Sequence, residues 1–439
     1  MTVLEGPARW PRVILARAGA YDPDAGLEAA ERAGAWAAWR RAVSSIGPDG
    51  LIRLVEASGL RGRGGAGYPT GRKWRTVAQQ PSPDRYAVAN GFEADPGAST
   101  DRLLMELDPH GVVEGLALAA FAVGARHAYL AVKGEYGLAV RRLRAAIDAA
   151  EEAGYLGSDV LGGGFELHME LRELRGGFVL GEETVLLRAI ENKRAQPDQR
   201  PPYPAERGLW DEPTAVNNVA TLAAVPAIVE HGADVFAAIG DRQAPGTVLL
   251  QISGAVRMPG VLEVPVGTPL RAVLKAAGAA GALKAVMVGG PSGGFLPPGA
   301  LDMPLTWRGL EEAGAIMGSG QVLAIDDSTC LVDLATLMTR LLNDEACGKT
   351  IPCRIGLKRM AEIGDRFVVG RPKPDDPDLL HDLAADTRDG GLCGLEITAV
   401  NPLLTGMRYF GKEFDDHIVR STCPAGVCQP VRVAAAPVA

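Results

Sequence analysis

The sequence predicts an α/β protein in three parts: an α/β domain with a mostly parallel sheet, a ubiquitin-like α+β module, and a C-terminal helical bundle that carries the cysteines. Three observations support this. Short apolar runs alternate with helical patterns up to about residue 240. A hairpin pattern bounded by glycine and proline turns occupies 246–325. From Ser328 to about Phe414 the apolar spacing becomes helical.

In order, residues 1–45 are rich in alanine and arginine, with a helical stretch near Leu27 to Val43, and are expected to form a surface arm. Between Gly47 and Gly59, Leu51, Ile52, Leu54 and Val55 recur at helical spacing, followed by Leu60. The runs beginning at Tyr86 and Ala128, the alternation Phe165 to Leu171, and Phe178-Val-Leu are expected strands. Helices are expected at Gly111 to Gly124, Ala139 to Ala153 and Glu183 to Asn192. In the module, 247–254 and 260–265 read as a hairpin, Leu270 to Ala277 as a helix and 285–288 as a strand. Helices at Val332 to Asn343 and Lys358 to Ile363 follow, and Pro430 to Ala439 reads as a loose tail. The resulting division is 1–45, 46–240, 241–326, 327–420 and 421–439.

The formal charge of −8, with no basic block, argues against nucleic acid as a partner. At 47% hydrophobic and 22% charged, the chain has ample core material. The most apolar stretch, Val112 to Val123, is too short to span a bilayer, so no direct membrane insertion is expected. The N-terminus carries no targeting pattern, and a cytoplasmic location is expected. All six cysteines follow residue 329, and in a reducing compartment such clustering points to metal or redox work before disulfides.

The densest glycine segment is Leu60-Arg-Gly-Arg-Gly-Gly-Ala-Gly-Tyr-Pro-Thr-Gly-Arg-Lys-Trp74. Gly62, Gly64 and Gly67 match G-x-G-x-x-G, but the loop follows a helical segment, whereas a dinucleotide fingerprint follows a strand. Small residues let backbone N–H groups approach an anion, and Arg61, Arg63, Arg72 and Lys73 are expected to supply a positive field. A phosphate-bearing ligand is one reading, and a ligand-free connection the other.

This loop resembles the flavin loop of the NADH-oxidising flavoprotein subunit of respiratory complex I, a type shared by bidirectional hydrogenases and NAD-dependent formate dehydrogenases. Gly181-Glu-Glu-Thr184, Arg200-Pro-Pro-Tyr-Pro-Ala205 and Pro213-Thr-Ala-Val-Asn-Asn-Val-Ala-Thr221 resemble further motifs of that family, in the same order. The similarity runs from about residue 45 to 428. It implies FMN and NAD(H) in one cavity. Gly62, Gly64, Gly65, Lys73, Asn90, Asn217, Asn218 and Thr221 are implied to hold the FMN, Tyr68 and Tyr203 to stack on adenine, and Glu182 and Glu183 to shape the nicotinamide and flavin edge. Apart from the resemblance, the two glutamates also fit an acid-rich helix N-terminus.

One motif departs from the family. Its strand-end pattern, Asn-x-Asp-Glu-x-Glu-Pro-Gly before Asp-Arg, here reads Asn90-Gly-Phe-Glu-Ala-Asp-Pro-Gly97 before Asp101-Arg102. Glu93 is kept, Phe92 replaces an aspartate and Asp95 a glutamate, which puts efficient NADH oxidation in question.

The cysteines form two groups. Cys347-Gly-Lys-Thr-Ile-Pro-Cys353-Arg, with Cys393, is similar to the family's four-iron ligand set Cys-Gly-x-Cys-x-x-Cys-Arg plus a later cysteine, except that Thr350 holds the second position. Four thiolates are the norm for such clusters. The alternatives are a four-iron cluster with an unusual fourth ligand, a three-iron or labile site, and no cluster. The second group, Cys423-Pro-Ala-Gly-Val-Cys428 with Cys330 and His417, resembles the hydrogenase and formate dehydrogenase branch, and makes a closed Cys₃His set suited to structural zinc. Free thiols beside a surface histidine are the alternative.

The resemblance implies an electron-transfer subunit that exchanges hydride between NAD(H) and FMN and single electrons with iron–sulfur centres. The implied partners are a thioredoxin-like subunit with a two-iron cluster and a catalytic subunit of formate dehydrogenase or hydrogenase type. The rival reading is a non-catalytic relative that keeps the fold and zinc. A third keeps FMN with a donor other than NADH.

Overall fold

A computed structural model describes residues 2–279 and 281–429. The segment expected to be a loose tail lies outside these residues. The first domain is built on a four-stranded sheet, β1 (Tyr86–Gly91), β2 (His127–Lys133), β3 (His168–Leu174) and β4 (Thr214–Asn218), in the order β3-β2-β1-β4. Every pair is parallel; Tyr86 lies opposite both His127 and Thr214. The helix Pro109–Val123 is buried along its whole length. Proline at its first position, the Asp108 side chain accepting from the Gly111 amide at 3.0 Å, and Gly124 at φ +74° define its ends.

Three expectations change. The segment 13–42 sends its apolar side chains into the core and is not a surface arm. Ile14, Leu15, Trp36 and Trp39 are buried, Trp36 Nε1 donates to His110 Nδ1 at 3.2 Å, and Trp39 Nε1 donates to the Tyr155 carbonyl at 3.1 Å. The expected single helix there breaks into Leu27–Arg32 and Ala37–Arg41, with Gly34 and Trp36 in the positive-φ region between them. Finally, Phe178–Gly181 is a 3₁₀ turn rather than a strand, and the strand expected at 165–171 runs over His168–Leu174. Leu180 fills the core with Val88, Val185 and Leu186, so the apolar triplet satisfies packing, not a ladder.

A two-residue ribbon, β5 (Gly240–Asp241) and β6 (Ala244–Pro245), leads into the module. There β7 (Thr247–Gly254), β8 (Gly260–Pro265), β9 (Ala285–Val288), β10 (Gly294–Leu296) and β11 (Gln321–Ile325) form a sheet in the order β10-β9-β11-β7-β8. β7 and β8 are the antiparallel hairpin and β11 runs parallel to β7. The chain's start is stitched to this module: the Glu263 carboxylate accepts from the Val13, Ile14 and Leu15 amides at 2.8–2.9 Å.

The helices Leu331–Glu345, Leu357–Val368, Asp376–Asp389 and Asn401–Ile418 make the last bundle around Leu357, Met360, Phe367 and Phe414. A π-turn, Pro352–Gly356, interrupts it at Cys353, a distortion that is often found at functional positions. No helix among the described residues is long and apolar enough to cross a membrane.

Candidate functional site

β1 feeds β2 and β3 to one side, and β4 returns on the other, so the strand order switches between β1 and β4. In such sheets the crevice beyond the carboxyl ends of the strands at the switch is the ligand site. Asn90, Phe92, Glu93 and Asp95 leave β1 there, and Asn217, Asn218 and Thr221 leave β4. The glycine loop closes over them. Its Gly62 N–H bonds back to the Tyr68 carbonyl at 2.8 Å, while the Arg63 N–H reaches Thr221 Oγ1 at 2.8 Å. Asn217 Oδ1 accepts from Trp74 Nε1 at 2.9 Å, and Asn218 Nδ2 donates to Asp101 at 2.6 Å.

The expected cationic field is smaller than the four residues implied. Arg63 is buried and turned into the module, donating to the carbonyls of Thr247 and Pro245 and lying 5.4 Å over the Trp307 ring. Burial lowers its pKa to about 10. Arg61 bonds to the Gln243 and Gly67 carbonyls. Lys73 is the cation held at the crevice, donating to the Val216 carbonyl at 2.8 Å and pairing with Glu183 at 3.2 Å.

The module forms a wall of the site. Trp307 Nε1 donates to the Gly65 carbonyl at 2.8 Å, Gln251 holds Gly97 and Ser99, and Ser319 bonds to Asp95. None of these side chains stands out in a sequence motif, because the sheet brings them in from far along the chain.

The four acids occupy two adjoining segments. Asn90 Nδ2 donates to the Gly181 carbonyl at 2.9 Å, and a Cβ on Gly181 would meet that of Ala94 at 2.9 Å, so the strand-end loop and the Glu182 turn are pressed together. Glu93 accepts from the Asp101 and Arg102 amides and Thr100 Oγ1 at 2.9–3.0 Å, yet burial raises its pKa. Burial also lifts Asp95 to about 6, with the Ser319 hydrogen bond opposing and Glu93 adding to it. Glu182 caps the helix Glu183–Ile190, accepting from the Thr184 and Val185 amides; burial raises its pKa too. Arg200 pairs with both Glu182 and Glu183.

The cysteine motif lies against this acidic turn. Burial lifts Cys393 to about 11, the nearby Glu396 amide opposes the rise, and the Glu182 carboxylate adds to it. Cys353 rises to about 12 through burial, then Glu396, Cys393 and more weakly Cys347. The Phe178 amide donates to Glu345 at 2.7 Å, and Lys349 Nζ donates to the Pro197 carbonyl at 2.5 Å, bolting the bundle to the first domain. Thr350 stands in the same motif, its hydroxyl on Glu396.

In the second group, the ligand atoms of Cys330, His417, Cys423 and Cys428 lie within 4.8 Å of one another. Cys330 Sγ is 3.4 Å from His417 Nε2, and His417 Nδ1 faces the Phe367 carbonyl at 3.2 Å. That contact fixes the ring so that Nε2 points at the thiols. His417 is a buried residue, which removes the surface-histidine alternative.

The residues fit the groups the motifs imply. Glu182 Oε1, at the crevice, and Thr70 Oγ1, at the foot of the glycine loop, are buried without a hydrogen-bond partner among the described residues. Gly64 is exposed, and a Cβ there would stand 3.0 Å from the Asn218 side chain, so glycine lets the loop approach the crevice closely. Tyr68 and Tyr203 leave 44% and 54% of their surface open on the flanking loops. The thiols of Cys347, Cys353 and Cys393 suit iron–sulfur chemistry, while three thiols and an imidazole around one point suit a single ion.

Fold and site together define an FMN- and iron–sulfur-binding electron-transfer subunit. Residues 55–227 match the Nuo51 FMN-binding domain, 249–296 the SLBB domain, and 333–417 the NADH-ubiquinone oxidoreductase-F iron–sulfur binding region. The chain is 43% identical over 390 residues to the HndC component of the NADP-reducing hydrogenase of Solidesulfovibrio fructosivorans, covering 88% of this chain and 79% of that one. It is 41% identical to the F 2 subunit of NADH-quinone oxidoreductase of Rhizobium meliloti, covering 91% and 96%. A solved NAD⁺-reducing [NiFe]-hydrogenase in the H₂-reduced state superposes with a TM-score of 0.81 at 33% identity, covering 88% of this chain; this chain spans 64% of that one. The protein belongs to the family of the NADH-quinone oxidoreductase F subunits and their hydrogenase counterparts.

Proposed function

We propose that this chain exchanges hydride between NAD(H) and FMN and passes single electrons to an iron–sulfur cluster held by Cys347, Cys353 and Cys393. The observation that carries this is the shared wall: the Phe178 amide, just before the Glu182 turn, donates to Glu345 beside the cluster motif at 2.7 Å, and Lys349 of that motif donates to the Pro197 carbonyl at 2.5 Å. A flavin in the crevice therefore lies beside the cysteines that take its electrons. FMN supplies the chemistry, because its ring accepts a hydride as a pair and releases electrons one at a time.

The chain's residues bind and orient. Gly62, Gly64, Gly65, Lys73, Asn90, Asn217, Asn218 and Thr221 hold the FMN, with the 213–221 segment at its phosphate. Tyr68 and Tyr203 offer faces to adenine. Glu93, Asp95, Glu182 and Glu183 set the polarity where nicotinamide meets flavin. Phe92 is not a polar ligand here; it is fully buried in the core beneath the loop. Cys330, His417, Cys423 and Cys428 hold structural zinc, since four donors this close suit one ion better than a cluster, whose irons spread their ligands apart. In a cytoplasmic complex, electrons pass between this chain, a thioredoxin-like two-iron subunit and a hydrogenase- or formate dehydrogenase-like catalytic subunit.

Anaerobic purification followed by absorbance and metal analysis tests the reading. A yellow-brown protein whose flavin band bleaches on NADH addition is expected. Bound FMN that NADH leaves unbleached removes the nicotinamide assignment, and a colourless zinc protein identifies the non-catalytic relative.

A further inference from the structure

Thr350 stands where the pattern Cys-Gly-x-Cys-x-x-Cys-Arg has its second thiol, and its hydroxyl is already engaged. It donates to Glu396 Oε1 at 2.5 Å and accepts from the Cys353 amide at 3.2 Å. Glu396 is 2% exposed. Its other oxygen accepts from the Leu392 amide at 2.9 Å, and no cation among the described residues forms an ion pair with it. A helix-capping role accounts for the Leu392 contact, since Glu396 sits in the first turn of Gly394–Thr398. It does not account for the burial or for the Thr350 contact. A carboxylate buried without counter-charge is costly, and proteins keep such groups where a cation or metal repays the cost.

The surroundings supply that metal. Glu396 lies three residues after Cys393, the N-cap residue of the same short helix. The Thr350 hydroxyl that its carboxylate holds also accepts from the Cys353 amide, so the carboxylate stands one side chain away from Cys353. The buried carboxylate thus sits among the residues of the cluster motif.

We propose that the Glu396 carboxylate is the fourth ligand of the iron–sulfur cluster, and that Thr350 positions it. The inference rests on the cluster reading above. A carboxylate carries the same charge as the thiolate it replaces, so the ligand set keeps its total charge while one iron exchanges a soft donor for a hard one. The Thr350 and Leu392 hydrogen bonds occupy one lone pair on each oxygen and leave others for iron.

The test uses the full chain, reconstituted anaerobically with ferrous iron and sulfide, with iron counts and electron paramagnetic resonance of oxidised and reduced samples. Wild type is expected to hold a four-iron cluster, silent when oxidised and paramagnetic when reduced. Glu396→Ala, and Glu396→Gln, which keeps the shape and one of the two accepted hydrogen bonds, are expected to lose one iron and show an oxidised three-iron signal. Thr350→Val removes both hydrogen bonds of the hydroxyl and is expected to keep four irons but release them to a chelator about five-fold faster, mainly through the lost bond to Glu396. A four-iron spectrum unchanged in both Glu396 variants overturns the ligand and leaves the cluster standing. So does loss of the iron in Thr350→Val alone, or a three-iron signal in wild type. No iron in reconstituted wild type overturns both.

Discussion

Trp307 Nε1 donates to the Gly65 carbonyl at 2.8 Å, so a ring from the module closes the glycine loop of the first domain. Gly67, at φ +63°, makes this possible: a Cβ there would lie 2.7 Å from the indole. The loop's glycines therefore serve its seating on the module as well as ligand approach. Trp307→Phe removes one hydrogen bond, worth about 1 kcal/mol, and is expected to raise the FMN dissociation constant about five-fold. Gly67→Ala adds both a collision and backbone strain, and is expected to weaken FMN by about tenfold or more. Flavin fluorescence during titration of the flavin-free chain measures both. Unchanged affinity in the two variants means that the module does not set the loop.

Asp95 gives the flavin-free chain a pH dependence with a definite sign. Burial lifts its carboxyl from 3.8 to about 6, so the folded chain holds a proton that the unfolded chain has released. Stability from this group is full below pH 3.8 and is lost as pH rises through about 6. The stability gap between Asp95→Asn and wild type should therefore grow over that window by about 3 kcal/mol at most in favour of the variant. Thermal unfolding of both chains at intervals from about pH 4 to 7 reads it. A gap that stays constant across the window means that Asp95 is ionised throughout.

Much of this arrangement is legible because local pattern and local structure coincide. Val286 and Val288 in β9, the β7–β8 hairpin and the helix Pro109–Val123 carry periods or turn signals that survive folding. The Cys₃His set is legible through its motif, although Cys330 and His417 meet only in three dimensions. Trp36 and Trp39 are not legible as core, because the alanine and arginine around them dominate the composition while partners as distant as His110 and Tyr155 bury them. Arg63 reads as a phosphate-side cation and becomes a clip, since its partners Pro245 and Thr247 lie about 180 residues on. Glu396 has no sequence signal beyond its place three residues after Cys393; burial beside Thr350 is what marks it.

Zinc in the second cysteine group would brace the bundle. Cys330 caps the helix Leu331–Glu345, and His417 lies near the end of Asn401–Ile418, so one ion ties two helices of the bundle to the 423–428 segment. Denatured protein should release one zinc ion per chain to a chromophoric chelator. His417→Ala removes a ligand outright and should lower zinc affinity by more than the roughly 10–100-fold that losing an orienting hydrogen bond costs. The 423–428 segment should then become sensitive to protease while FMN is retained. Full zinc retention in the variant removes His417 from the ligand set.

Phe92 permits the sharpest separation between motif and structure. The family pattern places an aspartate here, so Phe92→Asp reads as a restoration of flavin binding. The structure predicts damage instead. Phe92 is fully buried with Val88, Leu180, Val185, Leu186 and Leu209, and Lys133 Nζ stands 5.8 Å over its ring. Removing the ring alone costs about 3–5 kcal/mol in a packed core. The new carboxylate would also join Glu93, Asp95 and Asp101, whose pKa values burial already raises, so it would be charged at a further cost or take up a proton. Phe92→Asp is therefore expected to lower the unfolding temperature and to reduce FMN occupancy. Phe92→Leu keeps the site apolar and should hold flavin as wild type does. Unfolding followed by circular dichroism, with FMN stoichiometry on the same samples, decides between the two readings. A Phe92→Asp chain as stable as wild type with tighter flavin would show that position 92 belongs to the flavin, not to the core.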